Sequence, residues 1–270
     1  MKGLGLSWRP ELALAIERDP RVAFVEVTAE DVEDKLPPAV EALKGRKPIV
    51  VHGLTLSLGG AEPPRRERLK VLARLARKLD AVLVSEHVAF TRAGGLEAGH
   101  LLPVGRTRAA LEVVVENVKR AQDALPVPLA LENIASLFQW PDAEIPEAGF
   151  MAQLIERTGA LLLLDIANVH ANCANHGWDP NLYLRSLPLE RLAYVHIAGG
   201  VVAGGLYRDT HRHAITPEVL GLLTRLCELR PEPGVLLEWD DDFPPPAELG
   251  GQLDSILEAV AAAGGPVGAD

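Results

Sequence analysis

Along the chain, short apolar runs rich in Val and Leu alternate with longer stretches whose apolar residues recur every three or four positions. Runs of that length read as strands buried on both faces, and the longer period reads as amphipathic helix. Strands are expected at Gly3–Trp8, Phe24–Thr28, Pro48–His52, Ala81–His87, Leu129–Asn133, Leu161–Ile166, Tyr194–Ala198 and Gly234–Trp239. Helices are expected near Pro10–Arg18, Pro37–Leu43, Pro64–Leu79, Thr107–Ala124, Glu147–Arg157, Pro180–Ser186, Pro217–Leu229 and Ala247–Ala262. Several start with proline in the first turn, where a missing N–H leaves nothing unpaired, and Thr216 before Pro217 and Glu218 makes a cap. In the third helix Leu69, Leu72, Ala73, Ala76 and Leu79 share one face, with Arg and Lys opposite on a solvated face.

Strict strand–helix alternation over eight units predicts an α/β fold, a (β/α)8 TIM barrel, with a doubly wound sheet as the rival. The rival gathers its chemistry at one switch point. Here candidate ligands follow at least six of the eight strands, which favours a closed ring. Residues 1–270 read as a single β/α-barrel domain. The longer connections at Gly59–Pro64, Gly94–Gly105, Gln139–Gly149 and Asn172–Asp179 are expected to shape the mouth of a site.

The polar residues that end the apolar runs carry the chemistry. They are His52, His87, Glu132, Asp165, His196, Asp209 with His211, and Glu238. The C-terminal ends of parallel barrel strands converge on one rim, where several carboxylates repel one another unless a cation compensates. Histidine and carboxylate together are ligands for transition metals. Glu132, in the middle of the series, has two oxygens that could bridge two metals. Asp209 and His211 at i and i+2 would share a face of one extended segment. Either Asn168 or His170 could join them at a third metal. Glu26, Glu30 and Glu86, also at strand ends, would orient the histidines. Trp8, Trp239 and Asn133 read as core or rim, and Cys173 as a small apolar residue. Glu132, Asp165 and His196 are the candidate catalytic residues, since no side chain presents itself as an organic nucleophile.

Composition narrows the partners. The 27 Lys and Arg against 37 Asp and Glu leave a net charge of −10, a poor match to a nucleic-acid backbone. The two cysteines, Cys173 and Cys227, form no CxxC motif, as expected for a reducing cytoplasm. No apolar run approaches the roughly 20 residues a membrane span needs.

In order, VHGLTLSLGG, VSEHVAF, LLPV, LALENIAS, LLLDIANVHANCANHG, HIAGG, DTH and LLEWDDDFP resemble the DUF692 (UPF0276) family. These are multinuclear non-haem iron-dependent oxidases related to the methanobactin-biosynthesis enzyme. The resemblance implies a barrel of the xylose-isomerase and endonuclease-IV type holding two or three iron ions, Fe2+ or Fe3+. It also implies O2-dependent modification of cysteine or another residue in a ribosomally made precursor peptide, commonly delivered by a small partner protein. By matched motif, one iron falls to Glu132, Asp165, His196 and Glu238. A second falls to His52, His87 and the other oxygen of Glu132, and a third to Asp209, His211 and Asn168 or His170. The family pattern that the resemblance implies has an aromatic residue where His170 stands, a departure that bears on the third site. The competing readings are a zinc- or manganese-dependent hydrolase or isomerase on the same barrel, and a non-enzymatic metal or peptide scaffold.

Overall fold

The computed structural model describes residues 1–264; residues 265–270 of the expected domain lie outside the described residues. Eight parallel strands form a closed barrel: Leu4–Ser7, Val22–Thr28, Ile49–Gly53, Leu83–His87, Leu129–Glu132, Leu161–Asp165, Leu192–Ile197 and Val235–Leu237. Each pairs with its neighbours in chain order. The ring closes where the first strand meets the last, with Leu4 opposite Val235 and Leu6 opposite Leu237. All eight expected strands are present, each within a few residues of its expected bounds.

The helices wrap the outside. Helix Arg66–Leu79 buries Leu69, Leu72, Ala73, Ala76 and Leu79, as its pattern requires. Its opposite face is less solvated than expected, because the Arg68 guanidinium pairs with Glu30 and Glu33. Helices Arg108–Ala124 and Pro217–Leu229 are capped by Thr107 and Thr216, whose hydroxyls accept from the N–H groups of Ala110 and Val219. Such caps contribute about 1 kcal/mol each.

Two features depart from the pattern read along the chain. Helix Ile166–His176 starts directly at the end of the sixth strand, where a loop was expected around residues 172–179. Two antiparallel hairpins, Ala89–Ala93 with Leu96–Pro103 and Gly200–Ala203 with Leu206–Asp209, rise from the ends of the fourth and seventh strands. Their exposed strands alternate weakly and carry paired glycines at the turns, Gly94–Gly95 and Gly204–Gly205, all with positive φ. Apolar periodicity therefore overlooks them.

Inside the barrel, side chains lie in layers. Phe24, Val50, Leu83, Ala130, Leu163, Tyr194 and Leu236 pack together as an apolar floor. Two residues further along each strand the same inward face carries Glu26, His52, Ser85, Glu132, Asp165, His196 and Glu238, all buried. Alternation of side chains along a strand places both sets on the inside.

Candidate metal centre

Strand register sets the ligand layer. His87 is opposite Glu132 and Asp165 is opposite His196, so residues 45 and 31 positions apart in sequence lie side by side. His52 Nε2 is 3.6 Å and His87 Nε2 3.3 Å from Glu132 Oε2, while His196 Nδ1 is 3.2 Å from Glu132 Oε1. The two oxygens of Glu132 thus face two different histidine sets. His196 Nδ1 also lies 3.1 Å from Glu238 Oε2.

Among the described residues, four groups of side chains offer ligand atoms close enough for one ion each: His52, His87 and Glu132; Glu132, Asp165 and His196; Glu26, His196 and Glu238; and Asp165, His211 and Glu238. They share members, so they form one continuous cluster. Only His211 among these residues is partly exposed. Solvent therefore reaches the cluster from the side of His211.

Asp165 illustrates how the local fold serves the site. One carboxylate oxygen caps helix Ile166–His176 by accepting the Asn168 N–H at 2.7 Å. The other oxygen, Oδ2, is buried and without a partner. Asn133 holds the segment in place, since its side chain donates to the Asp165 carbonyl and accepts the Asp165 N–H, both at 2.9 Å.

Buried atoms without partners give a direct test of metal fit. Glu132 Oε2, Asp165 Oδ2, His196 Nδ1 and Asp209 Oδ1 are all buried and make no hydrogen bond. Leaving such groups unpaired costs about 1–3 kcal/mol each, more when charged. A donor set of imidazole nitrogens and carboxylate oxygens suits a divalent transition metal. The residues present fit metal ions.

Proton affinities in the cluster carry the same message. Burial disfavours the charged ring of His87, but Glu132 and Glu86 outweigh it and push its pKa up to about 9. Burial likewise opposes charge on His196 and His211, and their carboxylate neighbours hold both well above the usual histidine range. Burial would raise Glu132, yet His87 and His196 draw it down to about 2. Asp165 is held well above the carboxylate range by burial, with Asp209 and Glu132 adding to it. Protons on the histidines and on Asp165 thus balance the carboxylates in the place of cations.

The sequence-level candidates fall into two sets. His52, His87, Glu132, Asp165, His196, His211 and Glu238 come together, and Asp209 joins them through a 2.6 Å contact from Oδ2 to His211 Nε2. The route differs from the one expected. Asp209 ends a hairpin strand, while His211 has a left-handed φ of 51°, so the pair is not one extended segment. Gly199 fixes this bend: its carbonyl accepts the N–H groups of Thr210 and His211. A Cβ on Gly199 would come within 1.9 Å of the His213 carbonyl oxygen, so only glycine fits.

Asn168 and His170 part company. Asn168 is buried beside Asp165, and its amide donates to the Asn133 carbonyl at 3.1 Å. His170 belongs to none of the ligand groups among the described residues. Its ring packs edge-on against Tyr207, 4.6 Å between centroids. Two positions further along a helix, a side chain points away from its predecessor, and no periodicity argument could separate the two while the helix went unrecognised.

The three flanking glutamates also differ. Glu26 Oε2 meets His196 Nε2 at 2.9 Å, and Glu86 accepts the N–H of Leu56 and His87. Glu30 does not reach a histidine; it accepts from Thr55 and Arg68 and secures the segment after the third strand. Trp8 and Trp239 are core residues.

Comparison with known proteins bears on this cluster. A UPF0276 protein of Streptomyces avermitilis is 49% identical over 97% of this chain, and the chain spans 56% of that relative's length. A UPF0276 protein of Caulobacter vibrioides is 36% identical, covering 93% of this chain and 92% of the relative. Among solved structures, endonuclease IV from Thermus thermophilus superposes with a TM-score of 0.63 at 21% identity, covering 96% of this chain and 99% of that one. D-psicose 3-epimerase from Clostridium cellulolyticum gives a TM-score of 0.62 at 12% identity, covering 97% and 99%. These likenesses define the fold, a xylose-isomerase-type barrel. Residues 3–261 match the model of the RiPP precursor modification enzymes MbnB/TglH/ChrH, and the chain belongs to that family of enzymes.

Proposed function

We propose that this protein is a multinuclear non-haem iron-dependent oxidase that uses O2 to modify a cysteine residue of a ribosomally made precursor peptide. The observation that carries the reading is the placement of Glu132, whose two oxygens face His52 and His87 on one side and His196 on the other. A single carboxylate so shared suits two metals held close together. Glu132, Asp165, His196 and Glu238 would hold one iron, and His52, His87 and Glu132 a second. Asp209 and His211, with Asn168 or His170, would hold a third. Iron bound there supplies O2 activation and the electrons that side chains cannot.

The chain's own residues have other tasks. Glu132, Asp165 and His196 would keep the metals in register, and the apolar floor beneath would exclude water from below. His211, on the accessible side, marks where a peptide would approach. The two hairpins stand at the same rim, with Leu96 and Val202 exposed on them, and offer apolar surface to an extended chain. We place the reaction in the cytoplasm, with the whole chain as one catalytic domain and a small partner protein delivering the peptide. The free, buried Cys173 and Cys227 are consistent with a reducing compartment.

Anaerobic purification, metal analysis and O2 uptake with a cysteine-containing precursor peptide test the reading. Two or more irons per chain, with peptide-dependent O2 consumption and a mass change in the peptide, are expected. Zinc or manganese with phosphodiester cleavage or sugar isomerisation would overturn it. So would iron-loaded protein that consumes no O2 with any precursor and partner.

A further inference from the structure

Within the ligand layer, and dipping into the floor at Tyr194, a line of buried polar groups joins two of the candidate metal-binding histidines on the sides that face away from Glu132. His52 Nδ1 lies 2.9 Å from Ser85 Oγ, and Ser85 Oγ lies 2.9 Å from the Tyr194 hydroxyl. That hydroxyl donates to Glu26 Oε2, which also meets His196 Nε2 at 2.9 Å. All five residues are at most 1% exposed. They come from the second, third, fourth and seventh strands, so the line crosses the barrel interior from one histidine to another.

The proton count along this line has one self-consistent solution when both histidines bind metal. His52 Nε2 faces Glu132, so Nδ1 carries the proton and donates to Ser85 Oγ. Tyr194 has a single proton, which goes to the carboxylate. Ser85 must then donate its own proton to the Tyr194 oxygen. At the far end His196 Nδ1 faces Glu132 and Glu238, so Nε2 carries the proton and donates to Glu26. Every donor has an acceptor, and the line ends at one carboxylate receiving from both directions. Reversing either histidine leaves two donors or two acceptors facing each other in a dry interior.

We propose that Glu26, Tyr194 and Ser85 act as one positioning relay that fixes the tautomers of His52 and His196 together. A single buried carboxylate thereby turns two metal-facing nitrogens towards opposite oxygens of Glu132. The inference rests on the reading of the cluster as a metal centre. Its distinctive consequence is action at a distance: Glu26 governs His52, which it does not touch, through two intervening hydroxyls. Carboxylates that orient metal-bound histidines commonly act on the ring they contact; here one acts on two.

The test uses zinc as a diamagnetic probe, bound to the full chain. Metal affinity is measured by titration, and histidine tautomers are read from the 15N shifts of the imidazole nitrogens. Wild type is expected to bind at least two zinc ions, with protons on His52 Nδ1 and His196 Nε2. In Tyr194→Phe the His196 signals should persist, whereas those of His52 should broaden or change tautomer, with affinity at its site falling about tenfold or more. Glu26→Gln should disturb both rings. Should Tyr194→Phe fail to fold, as judged by thermal unfolding, Ser85→Ala cuts the same line with a smaller change. Unaltered His52 signals and zinc affinity in both Tyr194→Phe and Glu26→Gln would overturn the relay while leaving the metal centre standing. A wild type that binds no zinc and no iron would overturn both.

Discussion

The floor of the barrel and the ligand layer above it are built from the same strands and the same inward face, yet their chemistry is opposite. Val50 precedes His52, Ala130 precedes Glu132, Leu163 precedes Asp165, and Leu236 precedes Glu238, each pair on one face and about 6.6 Å apart along its strand. The lower members seal and the upper members bind. The floor gains by excluding water, and that exclusion is what makes the charges above it matter, since electrostatic interactions grow as the surrounding dielectric falls. Tyr194 belongs to both layers: its ring packs edge-on against Phe24 at 5.9 Å, and its hydroxyl joins the polar line.

The contrast can be broken most severely at Glu132. Glu132→Gln should reduce turnover by more than about 100-fold and lower the metal content of the purified protein, because two ligand groups lose a member at once. Elemental analysis alongside an O2-uptake assay checks both outcomes. Unchanged metal content would mean that the carboxylate is not shared.

A cut in the floor should do the reverse. Leu163 is fully buried, and Leu163→Ala should cost about 2–5 kcal/mol of stability through lost burial and the cavity left behind. Denaturant unfolding measures this, while the folded fraction should keep its metal stoichiometry. Equal loss of metal and stability would show that the two layers are not separable.

Acidity sharpens the contrast, because it acts on the upper layer. His87, with a folded pKa of about 9, carries a proton in the metal-free protein at neutral pH, and metal must displace it. Affinity should therefore rise with pH up to about 9, by roughly tenfold per unit for each proton released. Zinc titrations at several pH values, in buffers of different ionisation enthalpy, count those protons. A pH-independent affinity would contradict this account.

The smallest expected effect lies outside both layers. Thr107→Ala removes the cap of helix Arg108–Ala124 and should cost about 1 kcal/mol with no change in metal binding. Thermal unfolding and metal analysis of the same sample decide it.

Much of the upper layer was legible in the sequence because each ligand ends a Val- or Leu-rich run, and parallel strands deliver such ends to one rim. The polar line that joins His52 to His196 was legible in principle. Tyr194 stands two residues before His196, and Ser85 two before His87, so strand alternation already places them on the inner face. What sequence could not supply was the cross-barrel partnership with Glu26, which depends on ring closure. The place of His170 was obscured for a different reason. ANVHANCANH is rich in Asn and His, weak helix formers, and its helix is fixed by the Asp165 cap and by packing. The bend at His211 was hidden too, because it depends on a backbone contact with Gly199 rather than on any local pattern.

The ring closes between the first strand and the last, and this sets an order on assembly during synthesis. His52, His87 and Glu132 lie on three adjacent strands and are all translated by residue 132, whereas Glu238 follows the final strand. One complete ligand group thus exists in the growing chain long before its counterpart, and a ribosome stalled between those points would present an incomplete cation trap with an open seam.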